Sequence, residues 1–440
     1  MEERFDCIIV GGGIAGLSAA MILARANARF LLIERGEFCG AKNVSGGVLW
    51  GTDLARLVPD YWTTDEGFER FVNHRRLTFL DEGSAFSLDF KSAHFDETPY
   101  GGVTVLRSRF DAWLASKVEE AIAASAHADE SFVATNILVE DVLKEDGRVV
   151  GIRAGEERFF ADCVILAEGV NNLLTRQVGL EKEYVPADHV AVGVKEVIRL
   201  GKPVVEDRFQ LRGRSGLTNE FVGDCSGGVE GGGFLYTNTD SVSVGLVLAM
   251  KDLRDKGLKP YDVLNGFKSH PSVRDMLRGG ETVEYSAHVV STGDLRGMPS
   301  EIYADGVMIA GEAAHLLLNA GRAIQGMDYA MRSGILAAET ALEAKSRRDF
   351  SAATLASYRA ALEGSYVMQD MRTYQDAVHL LHDPAMHTTV PSIVCDFGRQ
   401  FFSVKNEPTP RAGAMMRAAI KRNASYWDLV KLGFKAARAL

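Results

Sequence analysis

The sequence predicts an α/β protein: a Rossmann-like domain with an inserted β-meander, a second α+β domain with a largely antiparallel sheet, and a helical C-terminal region. Three observations predict it. The chain opens on an apolar run followed by "GGGIAG", its middle alternates apolar and polar residues at strand period, and after Phe350 the apolar residues recur at helical spacing.

Phe5 to Val10 form the first strand run, and Gly11, Gly13 and Gly16 complete G-x-G-x-x-G at its end. Leu17, Ala20, Met21 and Ala24 carry a helix, and "RFLLIE" gives a second strand closed by Glu34, with Arg35 beside it. Such a βαβ unit binds a dinucleotide. The first glycine makes the tight turn, the second admits a pyrophosphate to the backbone, and the third lets helix and strand approach closely. The helix start at Ile14 and Ala15 attracts phosphate charge, and an acid about 20 residues downstream bonds the ribose hydroxyls. This unit alone does not choose between FAD and NAD.

Three further segments choose FAD. "RGEFCGAKNVSGGVLW" is a glycine-bearing loop with Lys42, Ser45, Gly46 and Gly47. "VTVLRSRFDAWLASKVEEA" runs from a strand into a helix of about 16 residues, with Arg107 at the junction. There a guanidinium either reaches phosphate or ribose or simply decorates the helix end. "NILVEDVLKEDGRVVGIRAGEERFF" reads as a β-meander turning at Asp146-Gly147, and a return strand follows that ends in Glu168-Gly169. A meander inserted in a dinucleotide fold suits FAD flavoproteins rather than NAD dehydrogenases.

Composition bounds the rest. At 440 residues, 46% hydrophobic and 25% charged, the chain is expected to be a soluble protein of two or three lobes. A net charge of −10 argues against nucleic-acid binding. The five cysteines, Cys7, Cys39, Cys163, Cys225 and Cys395, are scattered without a C-x-x-C pair, so no metal site is expected, and buried thiols in a reducing cytoplasm are the plain reading. No apolar run approaches membrane-spanning length, so any membrane contact is expected to be peripheral. The glycine-broken N-terminal run does not read as a signal peptide.

The phrases "GAKNVSGG", "VLRSRFDAWL", "VAVGVKE", "VEDRFQL", "GGGFLYTN", "VEYSAHVV", "DGVMIAGEAAH" and "GMDYAM", in order along nearly the whole chain, resemble the glutathione-reductase-like FAD superfamily. The resemblance is to the branch of geranylgeranyl reductases and electron-transfer-flavoprotein:quinone oxidoreductases, and within it to FixC-type proteins. It implies that Gly311 and Glu312 approach the ribitol of FAD. It also implies that the helix entered through Gly326, Met327 and Asp328 points its amides at the pyrimidine edge of the flavin, where reduction places negative charge. The family usually carries aspartate where this chain has Glu168 and Glu312. His315 reads as a half-buried polar residue. Two distant glycine-rich segments would thus clasp one long cofactor, and "GGVEGGGF" reads as a hairpin or substrate-side loop rather than a second nucleotide site.

The expected organisation is a FAD domain in three parts (1–75, 105–187 and 291–349), substrate-side strands at 76–104, an antiparallel substrate or quinone sheet at 188–290, and helices at 350–440. The sheet is expected to contain "HVAVGVKEVIRL", "VEDRFQLR", "GGGFLYTNTDSVSVGLVLAM" and "ETVEYSAHVV", with a short helix around Tyr261 to Phe267. Beyond residue 405 basic residues dominate, and Trp427, Val430 and Phe434 form one helical stripe. That stripe suits either packing on the body or docking on a membrane surface or a protein.

By resemblance the function is FAD-dependent electron transfer from a two-subunit electron-transfer flavoprotein to a membrane quinone, on the inner face of the cell membrane. Related single-chain enzymes carry their own cysteine-ligated iron–sulfur domain, so a separate ferredoxin-like iron–sulfur protein is the expected partner here. No side-chain acid–base pair is required; Tyr285 and His288 on the sheet face are the candidates for quinone contact. The alternative is reduction of prenyl-lipid double bonds, as in geranylgeranyl reductases, against which stands the lack of their cysteine-bearing motif. An aromatic hydroxylase using NADPH and oxygen, or a non-enzymatic scaffold, is disfavoured.

Overall fold

The computed structural model describes residues 4–43, 46–181, 190–291, 295–321 and 323–439. Its first sheet is centred on the strand Arg4–Val10, which pairs in parallel with Glu157–Leu166 on one side and Phe30–Ile33 on the other. Val307–Ile309 extends the sheet beyond Glu157–Leu166, also in parallel. Apolar runs such as Ile8, Ile9, Val164 and Ile165 are fully buried there, as expected for a parallel sheet covered on both faces. Strands from the start, middle and last third of the chain therefore end side by side.

The first helix, Ile14–Arg25, packs against Arg107–Ala123 and the long helix Met327–Arg347. Gly334 allows the contact with the long helix, and Gly16 lets the first helix close on the turn that follows the strand Arg4–Val10. A Cβ at Gly16 would lie 1.9 Å from the Gly11 carbonyl oxygen, and one at Gly334 would lie 2.1 Å from that of Ala15. The meander comprises Asp141–Glu145, Arg148–Ala154 and Glu157–Leu166, all antiparallel. Its tip is Asp146 (φ 48°) and Gly147 (φ 84°), the two positive-φ residues that match a tight hairpin to the strand twist.

The second sheet runs in the order Glu281–Ser291, Val190–Arg199, Ser241–Ala249, Gly231–Thr237, Ser215–Gly223, Arg70–Leu80, Gly102–Val105 and Gly47–Trp50, and Ala85–Lys91 pairs with Arg70–Leu80. It is antiparallel except between Ser215–Gly223 and Arg70–Leu80. One face carries a core of Val194, Leu217, Val244, Leu246 and Phe267, under the helices Met250–Lys256, Pro260–Ser269 and Pro271–Leu277. The opposite face looks toward the first sheet.

Two details differ from expectation. "VEDRFQLR" is not a strand: Lys202–Phe209 is a helix with Pro203 in its first turn and Gln210 as a left-handed cap. Its buried residues, Val205 and Phe209, stand four apart, a helical rather than a strand spacing. The second sheet also takes Gly47–Trp50 and begins its long strand at Arg70, inside the segment 1–75 assigned to the nucleotide domain.

The C-terminal helix Tyr426–Ala439 packs through Leu429, Leu432, Ala436 and Ala439, against a cluster containing Leu380. Trp427 and Phe434, each 76% exposed, and Val430 face outward.

Candidate functional site

A cavity of about 400 Å³ opens at the C-terminal ends of the first sheet's strands and is closed by the second sheet. Two helices begin at it. Ile14–Arg25 starts from Gly13 and Met327–Arg347 from Gly326, and neither has a side-chain N-cap. Gly13, Ile14, Ala15, Gly326 and Met327 all line the cavity. Backbone amides and the positive ends of two helix dipoles thus converge on one space from segments over 300 residues apart.

The glycine turn is shaped for close approach. Gly11 has φ 111°, and a Cβ there would lie 2.3 Å from the Ala167 carbonyl oxygen. A Cβ at Gly13 would meet only Arg107 Nη2 at 3.7 Å and Asn43 Nδ2 at 4.0 Å, so that glycine faces open space. Gly16 does not line the cavity; it serves the strand–helix contact described above. Glu34 lines the cavity, and its carboxylate accepts from the Gly12 amide (2.8 Å) and the Gly36 amide (2.6 Å), which fixes its direction.

Arg35, Lys42, Gly46 and Arg107 also border the cavity, whereas Ser45 lies outside the described residues. Arg107 is held by Asp111 through two bonds, Nε to Oδ1 (2.9 Å) and Nη2 to Oδ2 (2.8 Å). Burial opposes its charge, but Asp111 and then Glu312 raise its pKa above the usual value. The Arg107 side chain is thus both a helix-start residue and part of the cavity wall.

Glu168 and Gly169 line the cavity, but the Glu168 carboxylate is engaged elsewhere. It accepts from the amides of Leu174 (3.0 Å) and Thr175 (2.6 Å) and from the Thr175 hydroxyl (2.7 Å), capping the helix Leu173–Gln177. Glu312 lines the cavity from a short helical turn, Gly311–Ala314. Gly311 itself is buried outside the lining, its amide bonded to Ser333 Oγ at 2.9 Å. Asp328 is buried with its pKa pushed up to about 6 by burial, and it accepts from Gln325 Nε2 at 2.9 Å. His315 is more buried than expected: its Nε2 is 2.9 Å from Glu181 Oε2 and 3.2 Å from Asn172 Nδ2. That ties the loop after Val307–Ile309 to the segment after Glu157–Leu166.

From the second sheet, His288 reaches the cavity but Tyr285 does not. Residues three apart on a strand face opposite sides. Tyr285 is 47% exposed and packs edge-on against Tyr261 at 5.6 Å, so it is removed from the site. Among several valines, the sheet also contributes Lys195, Phe234 and Tyr236, which the sequence did not single out. Phe234 and Tyr236 stack at 4.8 Å. Lys195 is 8% exposed, and a lysine amid the valines of "VAVGVKE" was the available signal. Ile137, Leu138 and Val139, after the strand Phe132–Ala134, line the other end.

The chain matches three family profiles: "FAD dependent oxidoreductase" over residues 6–91, "ETF-QO, ubiquinone-binding" over 190–290, and "ETF-QO/FixC family C-terminal domain" over 377–440. It is 42% identical to Protein FixC of Salmonella typhi over 440 residues, covering 100% of both chains. It is 39% identical to the probable electron transfer flavoprotein-quinone oxidoreductase YdiS of Escherichia coli K12, again over 100% of both. Among solved structures, a geranylgeranyl bacteriochlorophyll reductase-like protein of Thermoplasma acidophilum shares the fold, with a TM-score of 0.72, 20% identity and 98% of each chain covered.

The residues present fit FAD. The open face of Gly13, the two uncapped helix starts and the cations Arg35, Lys42 and Arg107 suit a long dinucleotide with a pyrophosphate at its middle.

Proposed function

The chain belongs to the FixC family of FAD-dependent oxidoreductases, and we propose that it takes electrons from a two-subunit electron-transfer flavoprotein and passes them through FAD to a membrane quinone. The observation that carries this reading is the face of the second sheet, within the ubiquinone-binding profile, that closes the cavity with Lys195, Phe234, Tyr236 and His288. Aromatic and basic side chains there suit a planar acceptor whose carbonyl oxygens gain charge and protons on reduction.

FAD supplies the electron storage when bound. The residues do the rest. The glycine turn and the helix at Ile14 hold the phosphate end, the helix at Met327 presents its amides to the other end, and the second sheet excludes water. The five cysteines are scattered along the chain without a C-x-x-C pair, which supports an iron–sulfur centre on a ferredoxin-like partner.

No described helix is long and apolar enough to cross a membrane. The protein docks peripherally on the inner face of the cell membrane in this reading. It does so through the outward stripe of Trp427, Val430 and Phe434, because that stripe stays exposed while Leu429, Leu432 and Ala436 make the packing contacts.

The test is reconstitution with the cognate electron-transfer flavoprotein and ferredoxin-like protein. Reduction of a quinone analogue that requires both partners and FAD supports the reading. Saturation of a prenyl lipid without quinone reduction overturns it in favour of a geranylgeranyl-reductase-like activity.

A further inference from the structure

Lys195 stands on the cavity side of the strand Val190–Arg199, and the sheet is fitted to it. The neighbouring strand places Gly245 opposite, where a Cβ would lie 2.6 Å from the Lys195 Cβ. On the other side Ser286 is opposite, flanked on the same face by Glu284 and His288. The Lys195 Nζ donates to the Gly46 carbonyl. The next residue, Gly47, abuts the long helix's first residue: a Cβ there would lie 2.9 Å from Met327 Cε. The buried amine therefore reaches the loop against which the uncapped helix start is packed.

We propose that Lys195 is the counter-charge of reduced FAD, taking up a proton as the cofactor is loaded with electrons. The inference rests on FAD binding and not on the identity of donor or acceptor. Two electrons and one proton entering the isoalloxazine leave it one negative charge richer. A second proton, from solvent, forms one N–H bond on the Lys195 amine and cancels that charge; no other bond is made or broken. In turnover the electrons come from the protein donor, and in the test from dithionite.

The surrounding charges favour this behaviour. Arg107 from the helix Arg107–Ala123, His288 from the adjacent strand and Arg35 at the cavity rim are the basic groups, and the acids are Glu284 on that strand, acting on Lys195, with Asp111 and Glu312 acting on Arg107. Burial and then Arg107 push Lys195 down to about 7, against the pull of Glu284. His288 is lowered by burial, then by Lys195, Arg107 and Arg35. A negative charge added in the cavity raises the lysine's affinity for a proton, which couples protonation to reduction.

The experiment is anaerobic potentiometry of the FAD-loaded protein, followed by flavin absorbance between about pH 6 and pH 9. In the wild type the midpoint potential should fall twice as steeply per pH unit above about pH 7 as below it, because two protons rather than one accompany the two electrons. Lys195→Met should lose the steep segment and show a lower midpoint. Lys195→Arg should also lose it while keeping a midpoint at or above that of the wild type, since a guanidinium keeps its charge. A wild type without the steeper segment, a Lys195→Met that retains it, or a Lys195→Arg as low as Lys195→Met overturns the proposal. If Lys195→Met fails to hold FAD, Lys195→Arg decides alone: a doubled slope in that variant is fatal. No partner protein or quinone is needed, so failure here is distinguishable from failure of the reconstituted assay.

Discussion

Asp111, fully buried, holds the guanidinium of Arg107 one helical turn away with both carboxylate oxygens, and Asn43 donates to the same carboxylate. This pair joins the glycine-bearing loop to the start of the helix Arg107–Ala123 and sets where the arginine enters the cavity. Asp111→Ala leaves a largely buried cation without its partner. It should cost about 3 kcal/mol in denaturant unfolding and weaken FAD retention on gel filtration. Unchanged stability would mean that the loop rearranges to supply another acceptor.

Gly16 offers a sharper steric test. Gly16→Ala places a methyl where the Gly11 carbonyl oxygen stands, 1.9 Å away, and the strand, turn and helix have no flexible side chain to give. The variant should lose FAD, with destabilisation of about 1–3 kcal/mol read from thermal unfolding.

Glu168 is expected to matter for structure rather than for cofactor contact. Glu168→Gln keeps the reach to the helix Leu173–Gln177 but weakens the cap, at a cost of about 1 kcal/mol. Glu168→Asp is one methylene short and should cost at least as much, with the flavin spectrum little altered in both. A large spectral shift without loss of stability would contradict this role.

Glu220, opposite Phe234 in the second sheet, is pushed up to about 7 by burial, with Arg75 opposing. A carboxyl whose pKa is raised on folding favours the folded state while protonated. Its contribution is present below the unfolded value and lost as pH rises to about 7. Stability should fall across that window by an amount on the order of 3 kcal/mol, and Glu220→Gln should flatten the fall in denaturant titrations at several pH values.

On the C-terminal helix the two faces should separate. Trp427→Ser with Phe434→Ser should leave thermal stability nearly unchanged and reduce co-sedimentation with vesicles of anionic phospholipid. Leu432→Ala, on the packed face, should cost about 2–3 kcal/mol without a specific effect on vesicle binding. Equal vesicle binding by the double variant would remove the stripe from the docking surface.

The first sheet was legible because its signals are local and reinforce one another: an apolar run, glycines at fixed offsets, helical spacing and a closing acid. The Asp146-Gly147 turn was legible for the same reason, since few residue pairs accept two positive φ values. The second domain was harder. Val205 and Phe209 carry one turn of helix inside a segment whose composition also suits a strand, and only packing against the sheet decides. Ser215–Gly223 is a central strand without a clear strand signature: "SGLTNEFVG" holds glycines and an Asn219 whose burial is made tolerable by a bond from Thr78. Tyr285 and His288 were both legible as strand residues, but which one faced the cavity depended on register, fixed by the pairing of His288 with Gly193. Lys195 was missed because its meaning comes from what surrounds it in three dimensions.

The order of strands in the first sheet also says something about biosynthesis. Val307–Ile309 closes the row beside Glu157–Leu166, and the helix start at Met327 supplies one end of the cavity. A nascent chain emerging from the ribosome therefore has its glycine turn long before it has a place to hold the flavin. Both ends of the cavity can exist together only once Met327 has been synthesised, a long-range closure of the kind that slows folding.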